Sequence, residues 1–239
     1  MIRRCQEMKK YLLLLVSACI TSGTTEPTFA KPDSDSFVQG QASFKTGNFR
    51  QALSRFDEAI DADPNYTAAY AARALTEIKL KKFERAVDDA DKAHTLDSNN
   101  PDICETKATA LLNLRKYNES LAAADTALSL EGKTPKVSTL VIRAQAFSKS
   151  GQYEKAFVDY RLALKLDPVN ADALSKRALL CLELEQYSRA IDDSTKAISF
   201  DKSCALAYWV RSRAHLALGD KSKAVSDKEM AKRLGFKDS

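Results

Sequence analysis

One column of alanines constrains this chain more than any other feature. Ala59, Ala93, Ala127, Ala163, Ala197 and Ala231 recur at steps of 34, 34, 36, 34 and 34 residues. Seven residues before each stands a second small side chain: Ala52, Ala86, Ser120, Ala156, Ala190 and Ala224. Three residues earlier again lie Phe49, Phe83, Tyr117, Tyr153 and Tyr187, with Lys221 closing the series. A methyl side chain lets two helix backbones approach where Leu would clash, so a column of alanines marks a repeated close helix crossing. Numbered 1 to 34 from Asp33, Thr67, Pro101, Val137, Ala171 and Ala205, the repeats carry a third small column at position 8: Gly40, Ala74, Ala108, Ala144, Ala178 and Ser212.

Composition agrees with a helical reading. Among 239 residues there are only 7 Gly and 6 Pro, with 44% apolar and 29% charged side chains. Few helix breakers and many charges suit an all-α chain and exclude collagen, a disulfide scaffold and a polytopic membrane protein. Two His leave little room for a His-rich metal site.

The 34-residue columns resemble those of the tetratricopeptide repeat (TPR) family, over nearly everything after residue 32. The resemblance implies a right-handed solenoid of about twelve antiparallel helices, in repeats 33–66, 67–100, 101–134, 137–170, 171–204 and 205–236. Position 32, usually Pro in the family, is Pro64 and Pro168 but Ser98 and Lys202 elsewhere. Two extra residues within Glu131–Lys136 are expected to alter the turn between the third and fourth repeats. The last helix lacks the column aromatic and carries Lys228, Glu229, Lys232 and Arg233, a wetter face that suits a terminal cap.

A charge pattern runs through the same repeats. Position 7 is Arg73, Arg143, Arg177 and Arg211, and position 23 in those four repeats is Asp89, Asp159, Asp193 and Asp227. The other two repeats hold Gln39 with Arg55 and Lys107 with Ala123. The two positions lie on facing helices, which predicts four partly buried, bidentate Arg–Asp pairs that orient helices rather than bind a ligand.

In TPR proteins the first helices line a concave groove through positions 2, 5, 9, 12 and 13. Carried over, the candidate groove residues are Phe37, Gln41 and Phe44, then Leu75 and Ile78, Glu105 and Leu112, Gln145, Leu179, and finally Trp209 with Arg213. Trp209 reads equally as a binding anchor and as a packing residue at the C-terminal edge. Chaperone-binding members of the family clamp a terminal carboxylate with Lys and Asn at positions 5 and 9. Phe37/Gln41 and Ala71/Leu75 stand there instead, so that clamp is absent.

Residues 1–30 form a separate unit. Arg3, Arg4, Lys9 and Lys10 precede the ten-residue run Tyr11–Ile20. That run is too short to span a bilayer, which takes roughly 17–25 residues, and it reads as a secretion signal. Thr28-Phe29-Ala30 offers a peptidase cut before Lys31. Val16-Ser17-Ala18-Cys19 offers a lipobox instead, with Cys19 lipidated as a membrane tether and residues 19–32 as a polar leash; an unprocessed chain is the third reading. Export implies a secreted protein, or a periplasmic or envelope one in a bacterium. Loss of residues 1–30 removes four basic and two acidic side chains, leaving 33 against 30 and a net charge of +3. These charges are mixed, without the basic stripe of a nucleic-acid binder.

No Gly-rich phosphate loop, G-x-S-x-G, H-E-x-x-H or C-x-x-C occurs. His94 and His215 pair with no nucleophile by spacing. Cys104, Cys181 and Cys204 read as small packing residues, and an odd count leaves at least one thiol outside any internal disulfide. Asn65-Tyr66-Thr67 and Asn118-Glu119-Ser120 match a glycosylation sequon, but Ser120 belongs to the buried small column. The expected function is therefore non-enzymatic and needs no cofactor: an adaptor that holds a peptide or helix of a partner protein in the groove. A self-associating structural protein, or an envelope-assembly lipoprotein resembling TPR pilotins, is the alternative.

Overall fold

The computed structural model describes residues 35–237. The signal-type segment, with Cys19 and the cut before Lys31, lies outside the described residues. Among the described residues there are twelve α-helices and no strand. They are α1 Asp35–Lys45, α2 Phe49–Ala62, α3 Thr67–Lys79, α4 Phe83–Leu96, α5 Pro101–Asn113 and α6 Tyr117–Glu131. The second half holds α7 Val137–Lys149, α8 Tyr153–Leu166, α9 Ala171–Glu183, α10 Tyr187–Phe200, α11 Ala205–Ala217 and α12 Lys221–Arg233. Each odd-numbered helix packs against the next to form a hairpin, and each hairpin stacks on its neighbours in chain order. The result is an all-α solenoid.

Both turn types have local causes. Inside each hairpin, three residues separate the helices and the middle one has positive φ: Gly47 +79°, Lys81 +59°, Arg115 +60°, Gly151 +78°, Glu185 +58° and Gly219 +85°. The following amide donates to the carbonyl five residues back, as in Asn48 N–H to Ser43 at 2.9 Å and Gln186 N–H to Cys181 at 2.8 Å. This is the Schellman closure of a helix C-terminus. Lys81, Arg115 and Glu185 adopt a conformation that glycine enters without steric cost.

Between hairpins the turn is held by an aspartate. Asp63, Asp97, Asp167 and Asp201 each accept the amide two residues on, at 2.9, 3.1, 3.4 and 2.8 Å. This Asx turn works whether or not Pro follows, which explains how Ser98 and Lys202 are tolerated at position 32. The third junction differs. Helix α6 runs to Glu131, Gly132 leaves it at φ +66°, and Glu131 Oε2 accepts the Lys136 amide at 2.7 Å. The two extra residues thus replace an Asx turn by a Glu-closed loop.

All three small columns are buried. Where serine enters them its hydroxyl donates to the facing helix: Ser120 Oγ to the Ala108 carbonyl at 2.8 Å, and Ser212 Oγ to the Ala224 carbonyl at 2.6 Å. Position 8 therefore faces position 20, and hydroxyls are accommodated only because a carbonyl lies opposite. Gly40 is the one glycine in these columns because Phe56 of α2 crosses it. A Cβ there would fall 2.6 Å from Phe56 Cε1.

The charge columns add directional ties. Arg73 Nε and Nη2 each donate to Asp89 at 2.7 Å, and Arg143 to Asp159 likewise at 2.7 Å. Arg177 meets Asp193 at 2.6 and 2.7 Å, and Arg211 meets Asp227 at 2.7 and 2.8 Å. The four aspartates are buried while the arginine side chains stay partly exposed. In the third repeat, Lys107 pairs instead with Asp91 of the preceding hairpin, and in the first Arg55 pairs with Glu58.

Two outcomes are expected. Asp159→Ala strands Arg143 with only Asp125, and should cost about 2–4 kcal/mol of stability; chemical denaturation measures it, and an unchanged midpoint would remove the pair from the fold's energetics. Gly40→Ala should destabilise by about 1–3 kcal/mol through overpacking, despite alanine's better helix propensity. Adding Phe56→Leu should recover most of that loss in the same assay.

Candidate functional site

A helix turns about 100° per residue, so positions 2, 5, 9, 12 and 13 share one face and positions 7 and 11 lie opposite. The odd-numbered helices therefore show one face to a continuous surface and turn their position-7 arginines away from it. Along that surface the candidate residues separate into three regions.

At the N-terminal end, Gln41, Phe44 and Leu75 come together. With Lys45, Phe56 and Ala72 they line an apolar pocket of roughly 190 Å³ between the first two repeats. Leu75 is 44% exposed, an open apolar side chain rather than a core residue. Phe44 is held edge-on against Phe49 at 5.4 Å between ring centres, which fixes one wall. Phe37 is not part of the wall. Its ring lies 5.7 Å from Phe56 and 4.9 Å from Tyr66, where it covers the first end of the core. Ile78 packs half-buried on the cluster of Ala74, Ala86 and Ala90.

The middle is polar and internally tied. Glu105 Oε2 lies 2.9 Å from the Thr139 hydroxyl, which also reaches Glu131 Oε1 at 2.6 Å. Lys136 pairs with Asp102 across the inserted loop. Lys149 Nζ donates to Glu183 at 2.6 Å between successive repeats. Gln145 Nε2 donates back to the Val141 carbonyl of its own helix at 3.3 Å. Leu112 is half-buried, and Leu179 packs against the cluster of Ala178, Cys181 and Val210.

At the C-terminal end, Trp209 stacks on Phe236 at 5.2 Å, with the Arg213 guanidinium 5.9 Å from the indole centre. Trp209 also packs against the core through Val210 and Ala214. The ring is thus covered on one face by Phe236. Sequence reasoning missed Phe236, which lies beyond the last helix, and missed Phe56 and Ala72, which belong to positions 24 and 6. The available signal for Phe56 was Gly40, the glycine in a column of alanines.

Behind the pocket, on the opposite face of α3, Glu77 is 3% exposed beside Asp89, and its Oε2 has no hydrogen-bond partner. Burial pushes this carboxyl up to about 7, Asp89 adds to the rise, and Arg73 and Arg85 oppose it. A proton on Glu77 relieves the approach of two carboxyl groups.

One nucleophile–base contact does occur. Cys104 Sγ lies 3.6 Å from His94 Nδ1, joined across the turn from α4 to α5. Cys104 is 5% exposed, and burial raises its thiol above the ordinary range. The thiol is therefore neutral near pH 7 and acts as a hydrogen-bonding packing residue. No group of three or more His, Cys, Asp or Glu that could hold a metal ion occurs among the described residues.

Family models for the tetratricopeptide repeat match residues 37–101 and, for the TPR repeat, 144–184. No curated protein sequence matches significantly. Among solved structures, PilW, described as a type IV pilus biogenesis factor, is 20% identical with a TM-score of 0.74, over 83% of this chain and 91% of that one. Pseudomonas aeruginosa pilF is 18% identical with a TM-score of 0.68, over 84% and 90%. YrrB, described as a TPR protein with an unusual peptide-binding site, is 17% identical with a TM-score of 0.52, over 75% and 92%. At these identities the likeness is one of fold.

Glu77 gives a pH dependence with a definite sign. A carboxyl raised in the folded state keeps a proton that the unfolded chain has released, so between pH 4.5 and 7 stability falls as pH rises. Glu77→Gln is neutral throughout. Its melting temperature should gain on the parent's steadily across that window, and parallel curves would show that another group titrates.

Proposed function

We infer the function from one premise: the chain belongs to the tetratricopeptide-repeat family. It is a non-catalytic adaptor that seats an apolar side chain of a partner peptide or helix in the pocket of Phe44, Leu75 and Phe56. The observation that carries this reading is the exposed Leu75 beside an open apolar pocket whose wall at Phe44 is already fixed by Phe49. A preformed seat spares the partner the cost of ordering the protein, which is how a modest pocket gains affinity. The polar middle of the surface sets the direction of the bound segment, since Glu105, Lys149 and Glu183 are held in place by their own pairs.

The adaptor works in the cell envelope. The basic start and short apolar run of residues 1–30 support export, with Cys19 as the lipidated tether or Lys31 as the first mature residue. The fold shared with PilW and P. aeruginosa pilF is consistent with a role in envelope assembly. The intact mass of the exported protein distinguishes a lipidated Cys19 start, a Lys31 start and an uncut chain.

The test of the pocket is capture from the native host with full-length protein as bait, beside the variant Phe44→Ala with Leu75→Ala. A partner retained by the parent and lost by an equally stable variant is the expected result. A partner held equally by both baits would place binding elsewhere on the surface. Light scattering of the parent over a range of concentrations tests the competing self-associating reading, in which a second copy fills the pocket.

A further inference from the structure

The basic residue at position 7 is not tied only within its own repeat. It also looks back to position 25 of the preceding one. Arg73 Nη1 meets Asp57 at 2.7 Å, Lys107 meets Asp91, and Arg143 Nη1 meets Asp125 at 2.8 Å. At the last junction Arg211 Nη1 meets the Thr195 hydroxyl at 3.2 Å. Four of the five junctions therefore supply an oxygen to that edge of the cation. The fifth supplies a second cation: position 25 before Arg177 is Arg161.

Arg177 gives Nε and Nη2 to Asp193, and no acceptor meets its Nη1 among the described residues. Arg161 and Arg177 line a cleft of roughly 390 Å³ together with Arg189, Lys196, Asp192 and Asp193. Four cations against two carboxylates leave this cleft net positive, and Asp193 is already committed on both oxygens. The corresponding cleft of the first junction holds Asp57, Asp88 and Asp89, with the proton-retaining Glu77, against Arg73 and Arg85, a balance of the opposite sign. Two guanidiniums line one net-positive space, and an incoming anion offsets the excess charge while accepting charge-assisted hydrogen bonds.

We propose that the cleft between α8, α9 and α10 is a binding site for a carboxylate side chain of an acidic, Asp- or Glu-bearing partner segment. The molecule itself shows which chemistry fits, since Asp57 and Asp125 fill the equivalent place at two other junctions. The ligand's carboxylate takes the place of the missing aspartate, with Arg177 Nη1 on one side and Arg161 on the other. Position 7 lies opposite the groove positions on each odd-numbered helix, so this site is on the other face of the solenoid. It stands independently of the apolar pocket.

The test uses full-length protein and a fluorescein-labelled tetraglutamate peptide with a blocked C-terminus, read by anisotropy. The parent should bind it, more weakly as salt is raised. Arg161→Asp rebuilds the arrangement of the other junctions and fills the site from within. It should weaken binding by about tenfold or more without lowering the melting temperature. Arg161→Gln, which keeps much of the stem, should weaken binding less. Arg50→Asp makes the same change of charge on exposed α2 and should stay within about twofold of the parent. The Phe44→Ala, Leu75→Ala variant should bind as the parent does. Inorganic phosphate should compete no better than acetate at matched ionic strength. Absence of binding to the parent overturns the proposal, as does equal binding by Arg161→Asp. Equal loss in Arg50→Asp would reduce the effect to net charge, loss in the pocket variant would move the site to the groove, and stronger competition by phosphate would make it a phosphoryl site; each of these also overturns the carboxylate assignment.

Discussion

Close approach of helix backbones is the constraint on which this structure rests. Positions 8, 20 and 27 leave room for a methyl group or a satisfied hydroxyl. Ser120 and Ser212 show how narrow the tolerance is, since each hydroxyl reaches a carbonyl on the facing helix. Once the backbones are this close, longer side chains have one way to go. The arginines of position 7 reach sideways to position 23, and all but Arg177 also reach back to position 25, while the apolar side chains of positions 9 and 12 are left on the groove side. The pocket, the ion pairs and the basic cleft are thus three results of one packing distance.

The architecture was legible because it is periodic. A step of 34 residues locates helices, turns and buried columns at once, and an Arg–Asp spacing of 16 residues repeated four times implies facing helices. The turns were less legible. Ser98 and Lys202 look like departures at the proline position, yet the turn is held by the aspartate one residue earlier. The inserted residues advertise a changed junction, but the Glu131 closure depends on a side chain folding back on a loop amide.

The candidate site was less legible in the sequence, for physical reasons. A family groove position says which way a side chain starts, and not what lies over it. Phe37 starts on the groove face and is taken up by Phe56 and Tyr66 at the end of the core. Phe56 starts on the second helix and reaches the pocket because Gly40 gives it passage. The contact between His94 and Cys104 crosses the turn between two helices, which no spacing rule within one helix anticipates. Position 25 carried a signal of its own, three aspartates followed by arginine and threonine, that is visible only once position 7 is known to face it.

The cover that Phe236 places over Trp209 has a consequence for how this molecule can be watched. Trp209 is the sole tryptophan, so the intrinsic indole emission of the whole chain comes from the final hairpin and its tail. In an array whose hairpins touch only neighbours in sequence, the last unit can fray while the rest stays intact. An emission shift therefore dates the opening of one end, whereas helical circular dichroism sums over twelve helices. Any separation between the two midpoints is a direct reading of how far cooperativity extends along the stack.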